Sequence, residues 1–234
     1  MEPVLQMTGK TGIMGLYRRY RHAPLNPLER LLVYLRLRFS SYQAIERHVP
    51  ASGEIVDLGC GFGMLAVYLA LMSEARHITG IDISHRRLNV AKFISADIHN
   101  VAFEYFDLLQ YNFDRCRCIL LIDALHYFPV SGQNRLVAKC YKRLDPGGRL
   151  LLRDSNKDNR FRHFITTFHE TIMTRSGFTK GEMLCFRGFG ELKSHLEGLG
   201  FLVDLLPMWD RTPFADTLLI CYKSRTTKSA HQSG

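Results

Sequence analysis

Four aspartates each follow a short apolar run: Asp57 in "EIVDLGCGFG", Asp82 in "ITGIDIS", Asp107 in "FEYFDLL" and Asp123 in "CILLIDALHYF". Carboxylates of this kind accept hydrogen bonds from hydroxyl and amino groups, and they hold cations. The first stands two residues before a glycine cluster at 59, 61 and 63. A dinucleotide fingerprint of the form G-x-G-x-x-G wants its third glycine at 64, where Met64 stands. The spacing and the acid before it turn the loop away from a pyrophosphate and toward a cationic or amine-bearing ligand. Asp82 follows Gly59 at about the interval expected of an acid that binds two ribose hydroxyls. Asp107 is placed to accept from an adenine amino group, and Asp123 closes the next run. Any one of these acids could be a helix cap or a solvated loop residue. The set of four, at successive strand ends, points to one ligand-binding edge.

The elements that must position them alternate. Short apolar runs at Glu54–Leu58, His77–Ile83, Phe103–Phe106, Cys118–Ile122 and Arg149–Arg153 read as buried strands. Between them Phe62–Ser73, Ser84–Ala96 (capped by Ser84) and Val130–Leu144 read as helices. This order implies a parallel, doubly wound sheet with both faces covered. Later, Asp158–Ser176 reads as an added helix and Gly190–Leu199 as another, and Phe201–Leu206 with Thr217–Tyr222 as an antiparallel pair closing the sheet edge. Ahead of the first strand lie two helical pieces, Gly12–Tyr20 and Leu28–His48.

The totals narrow the class. The net charge of +9 resides at the ends, +5 in residues 1–50 and +3 in residues 223–234, so the middle is close to neutral. That distribution argues against a nucleic-acid face across the main body. No apolar run is long enough to span a bilayer. The beginning lacks the pattern of a secretory signal. Six scattered cysteines, with only Cys116 and Cys118 close together, fit reduced thiols in a cytoplasmic protein better than a zinc site.

Over roughly residues 50–222 the chain resembles the class I S-adenosylmethionine-dependent methyltransferases. The resemblance rests on the four segments above together with "LDPGGRLLLRD", in the family's order. It implies an α/β fold with a Rossmann-like, doubly wound seven-stranded sheet, mostly parallel with the last strand antiparallel. It also implies a helical lid over residues 1–50, a substrate-cover insertion over 157–188 and a disordered basic tail over 223–234. S-adenosylmethionine is the implied cofactor and S-adenosylhomocysteine its product. Asp57 would lie near the methionine amino group, with Gly59, Cys60 and Gly61 as the backbone cradle. Asp82 would hold the ribose with Ile83 beside the adenine, Asp107 and Leu108 would meet the adenine, and Asp123 and Ala124 would flank the methionyl part. The family's aromatic–acid pair at the start of the fourth strand is displaced, since Cys116 and Arg117 stand there and Phe113–Asp114 falls earlier. The "FITTFHETI" helix is also similar to methyltransferases of bacterial fatty-acid-type and aryl-polyene pathways.

The acceptor side is read from the residues beyond strands four and five. Methyl transfer from a sulfonium is an in-line displacement in which the protein chiefly positions the acceptor, and a base serves only an acceptor that must lose a proton. His126 is the candidate base, with a packing role beside the cofactor as the alternative. Asp154 is a second candidate, for capping or orienting. His163 and His169 join the catalytic candidates from the added helix, while Tyr17, Tyr127, Phe164 and Phe168 are candidate acceptor contacts. A metal site from Asp123, Asp154 and Asn156 has poor ligand spacing, and no metal is expected. A small or lipid-like acceptor methylated at oxygen or carbon is the expectation, with peripheral membrane contact through the basic N-terminal helix. RNA or protein methylation and a non-catalytic cofactor-binding regulator are the rival readings. "DALH" stands where an amino-group methylation motif would come after strand four.

Overall fold

In the computed structural model, residues 9–39, 41–155, 184–208 and 216–225 are described. Three helices, α1 (Gly9–Arg21), α2 (Pro27–Phe39) and α3 (Tyr42–Glu46), precede β1 (Gly53–Leu58). Next come α4 (Met64–Met72), β2 (Arg76–Asp82), α5 (His85–Ile94), β3 (Val101–Tyr105) and β4 (Cys116–Ile122). A 3₁₀ turn at Leu125–Tyr127 leads to α6 (Val130–Arg143), β5 (Leu144–Ser155), α7 (Phe189–Gly198), β6 (Phe201–Pro207) and β7 (Asp216–Lys223). The sheet has seven strands in the order β3-β2-β1-β4-β5-β7-β6. The first five pair in parallel, and β7 runs antiparallel to both β5 and β6. The expected antiparallel pair is present, with β7 threaded inside and β6 left as the edge. Strand order reverses between β1 and β4, which opens a crevice at their C-terminal ends.

Alternation along the strands sorts the core into two layers. Ile55, Ile78, Phe103, Leu120 and Leu151 face α1–α5, while Val56, Ile81, Leu121, Leu150 and Leu152 face α6 and α7. Strands buried on both sides account for the unbroken apolar runs in the sequence. The piece expected as one helix from Leu28 to His48 is two, α2 ending at Phe39 and α3 starting at Tyr42. The fourth strand begins at Cys116, with Phe113 buried just before it. Lys223, assigned to the tail by sequence, belongs to β7, where its ammonium donates to the Tyr141 and Leu144 carbonyls at 2.8 and 2.6 Å. The rest of the expected tail, residues 226–234, lies outside the described residues, as do the added helix and residues 157–183 of the insertion.

The glycine loop is fixed from behind. Gly63 starts α4 at φ +75°, and a Cβ there would stand 2.7 Å from Phe103 and 2.8 Å from Ala91. Strain in the left-handed region adds to this overpacking, so Gly63→Ala should destabilise the fold by roughly 2–4 kcal/mol, measured by urea unfolding. An unchanged midpoint would show that the loop relaxes freely.

Candidate active site

A cavity of about 270 Å³ opens over the C-terminal ends of β1, β2 and β4. Its wall includes Gly59, Gly61, Asp82, Ile83, Asp107, Leu108, Asp123, Ala124 and Tyr127, all of them positions singled out by sequence. The glycines permit this wall to be made of backbone. Gly59 has φ +80° and lies so close to Ala124 that a Cβ would come within 2.7 Å of its methyl group. Gly61 has φ +56° and open space at the Cβ position, so only a distant Arg87 nitrogen stands at 3.9 Å. Tyr20 braces the loop by donating from its hydroxyl to the Phe62 carbonyl at 2.6 Å.

Asp57 is buried at the end of β1 behind this loop. Burial, and next to it the charge of Asp82, push its carboxyl from 3.8 up to about 7. No salt bridge reaches Asp57 among the described residues. A buried carboxyl in this condition is poised for a cation. Asp82 is held differently: it accepts from the Gly61 N–H at 2.9 Å and the Ser84 N–H at 2.8 Å, and it pairs with Arg87 at 3.1 Å. Asp107 accepts from the Leu109 N–H at 2.8 Å, while Leu108 turns inward beside it. Lys139 fixes this turn from α6 by donating to the Leu108, Leu109 and Tyr111 carbonyls at 3.2, 2.6 and 3.0 Å. The thiol of Cys60 is pushed well above its usual range by burial and by Asp57 and Asp82, which keeps it neutral.

The chemistry of this donor set fits an amino-acid nucleoside. A buried acid without a salt bridge suits an ammonium, an oriented acid suits hydroxyls, and the apolar side chains of Ile83 and Leu108 in the wall suit a base. A model of a methyltransferase domain matches residues 55–148. That segment is a methyltransferase domain of the S-adenosylmethionine-dependent kind. Over 131 residues it is 29% identical to a phosphoethanolamine N-methyltransferase of Plasmodium falciparum, covering 53% of this chain and 49% of that one. It is 32% identical over 146 residues to a ubiquinone biosynthesis O-methyltransferase of Xylella fastidiosa, covering 58% and 53%. The chain thus spans about half the length of the curated relatives it matches. In fold it is similar to magnesium protoporphyrin IX methyltransferase from Synechocystis PCC 6803, solved with bound SAH, at a TM-score of 0.64 and 18% identity over 92% of this chain and 96% of that one.

Beside this cavity edge the chain carries a second polar group. Asp154, buried at the end of β5, meets His126 twice: Oδ2 accepts from the His126 backbone N–H at 3.1 Å, and Oδ1 lies 2.7 Å from the ring Nδ1. His126 is buried within the 3₁₀ turn, with the rings of Tyr127 at 4.3 Å and Phe186 at 4.7 Å. The cavity wall at this point is made by its neighbours Ala124, Tyr127 and Phe128. Asp123 adopts φ +54° and is bound by Arg153, whose Nε donates to Oδ1 at 2.9 Å and whose Nη2 pairs with Oδ2.

The expectation for Tyr17 is corrected. Helical phase turns Leu16 and Tyr20 inward, and Tyr17 stands exposed against Tyr34 instead of in the cavity. Helix α2 contributes Leu32, Val33 and Arg36 to the cavity wall in its place. His163, Phe164, Phe168, His169 and Asn156 lie outside the described residues. Sequence reading missed Arg87, Arg153 and Phe186. Arg87 sits at the third position after the capping Ser84, which brings it back over the strand end it follows. Arg153 is the register neighbour of Ile122, the residue before Asp123. Phe186 carries no local signal.

Proposed function

We propose that the protein moves a methyl group from S-adenosylmethionine to a small or lipid-like acceptor, at oxygen or carbon, with His126 as the base. The observation that carries the donor half is Asp57, a buried acid raised to about 7 by burial and by Asp82, behind a glycine loop whose cavity is lined by Asp82, Asp107 and Asp123. In this reading Asp57 takes the ammonium, Asp82 the ribose hydroxyls, and Asp107, Ile83 and Leu108 the adenine. The bound donor supplies an activated methyl group. The chain's own part is to hold the acceptor in line, exclude water and remove a proton where the acceptor has one to lose.

Apolar walls from Leu32, Val33, Tyr127 and Phe128, with one arginine at α2, support a partly apolar acceptor. The two relatives are named as a phosphoethanolamine N-methyltransferase and a ubiquinone biosynthesis O-methyltransferase. Among the described residues no helix is long and apolar enough to cross a membrane. The six free thiols support a reducing, cytoplasmic setting, with peripheral membrane contact through the basic N-terminal helices.

Calorimetry with S-adenosylhomocysteine tests the donor. Asp82→Ala should weaken binding by about 30-fold, the worth of charge-assisted hydrogen bonds to a hydroxyl pair. Undetectable binding by the parent protein would end the assignment. Radiolabelled methyl donor with fractionated lysate then reads the acceptor: label in small-molecule or lipid fractions supports the proposal, and label confined to RNA or protein overturns it.

A further inference from the structure

Helices α1 and α2 each bury one side. Leu16 and Tyr20 of α1 and Val33 and Leu37 of α2 enter the core. The opposite sides are not polar. Met14 (60% exposed) and Tyr17 (48%) stand out from α1, and Leu31 (52%), Tyr34 (47%), Leu28 and Leu35 from α2. Tyr17 and Tyr34 touch edge to face with ring centroids 6.0 Å apart, so the two exposed stripes join into one patch. Helical spacing puts arginines on the same faces: Arg18 lies four residues beyond Met14, Arg21 four beyond Tyr17 and Arg38 four beyond Tyr34. All three are exposed. The single acid in residues 9–39, Glu29, is buried and paired with Arg86 at 2.7 Å, so it offsets nothing on this face.

The patch is rigidly mounted. Arg19 binds Asp97 with Nη2 to Oδ2 at 2.8 Å, Tyr20 holds the glycine loop, and Arg86 donates to the Pro24 carbonyl at 2.7 Å as well as to Glu29. Fixed aliphatic and aromatic side chains interleaved with arginines, and free of exposed acid, match an interface with anionic headgroups over acyl chains. A second copy of the chain matches poorly. A two-fold contact centred on this patch would bring arginines toward arginines with no exposed acid in the segment to meet them.

We propose that this outer face of α1 and α2 docks the protein on an anionic lipid bilayer. The proposal deepens the peripheral-contact part of the function above, yet the surface stands whether or not methyl transfer occurs. Helix α2 is shared between two jobs: Leu31 and Leu35 face outward, while Leu32, Val33 and Arg36 line the cavity. Docking through α2 therefore sets the acceptor side of the cavity against the membrane, where an amphiphile can enter without crossing bulk water.

Sedimentation of the full chain with vesicles tests this, using phosphatidylcholine alone and phosphatidylcholine with about 30% phosphatidylglycerol. Binding to the anionic vesicles only, weakened by added salt, is expected. The double variant Arg18→Glu/Arg21→Glu should lose at least about 25-fold in affinity, at roughly fivefold per basic residue. Leu31→Ser/Leu35→Ser should lose about tenfold through lost apolar burial. Both variants should bind S-adenosylhomocysteine as the parent does. That separates failure of docking from failure of the donor assignment and shows that the variants fold. No preference for anionic vesicles, or unchanged binding by the arginine variant, would overturn the proposal. So would self-association that the leucine variant abolishes, or RNA displacing the protein from vesicles through the same arginines.

Discussion

S-adenosylhomocysteine should bind more tightly as pH rises from about 5.5 to about 7, by close to tenfold per pH unit at the acid end, and level off above. The cause is Asp57. In the ligand-free protein burial, and secondarily Asp82, raise its carboxyl from 3.8 to about 7, so at pH 6 it is mostly protonated. An ammonium beside it stabilises the carboxylate and lowers that value, so binding expels a proton whenever the pH lies below about 7. Acid therefore competes with the ligand. The same shift has an opposite sign for stability. An acid whose folded value is raised binds more protons folded than unfolded, so the ligand-free fold loses stability as pH climbs from about 4 to about 7 and stays penalised above. Asp57→Asn removes that penalty and the ion pair together. It should raise the melting temperature of the free protein at about pH 8, by the equivalent of about 1–3 kcal/mol. It should also weaken binding by about 10²–10³-fold and flatten the pH slope. Calorimetry in buffers of differing ionisation enthalpy counts the released proton directly. A pH-independent affinity in the parent protein would show that Asp57 does not face the ligand's charge.

Most of the cavity wall was readable from the sequence because it depends on short-range rules. An acid at a strand end, a glycine where the chain must take positive φ, and a serine at a helix start each announce themselves within a few residues. Parallel strands then carry those signals to one edge without further information, and so Asp82, Asp107 and Asp123 line one cavity, with Asp57 buried behind its glycine loop. What escaped was set by contacts distant in the chain. Tyr17 and Tyr20 differ only in helical phase, and which one turns inward depends on where α1 meets the loop at Phe62. The grip of Asp154 on the His126 backbone spans 28 residues and arises from β4–β5 register. The division into α2 and α3 falls within a stretch that local periodicity reads as continuous.

His126→Ala should lower the rate of methyl transfer by about 10²–10⁴-fold while S-adenosylhomocysteine affinity changes by no more than about threefold. The argument rests on how the ring is held. The Asp154 carboxylate accepts from the backbone N–H of the 3₁₀ turn with one oxygen and lies 2.7 Å from the ring Nδ1 with the other. With a proton on Nδ1, that contact fixes the tautomer whose Nε2 carries the lone pair, which is the state a base requires. Stacking against Phe186 and contact with Tyr127 hold the ring plane. Asp154→Asn separates orientation from folding. An amide keeps one acceptor for the backbone N–H but can no longer anchor the imidazolium formed when a proton is taken. Transfer should fall about 10–10³-fold, again with donor affinity preserved. Asp154→Ala should cost a further 1–3 kcal/mol or so of stability, because a buried N–H loses its partner. The acceptor provides the decisive contrast. Where the labelled product arises from a hydroxyl or an enol, both substitutions should act on kcat and leave the donor KM alone. If His126→Ala instead retains transfer within about threefold on such an acceptor, the ring only packs, and the base must be sought elsewhere.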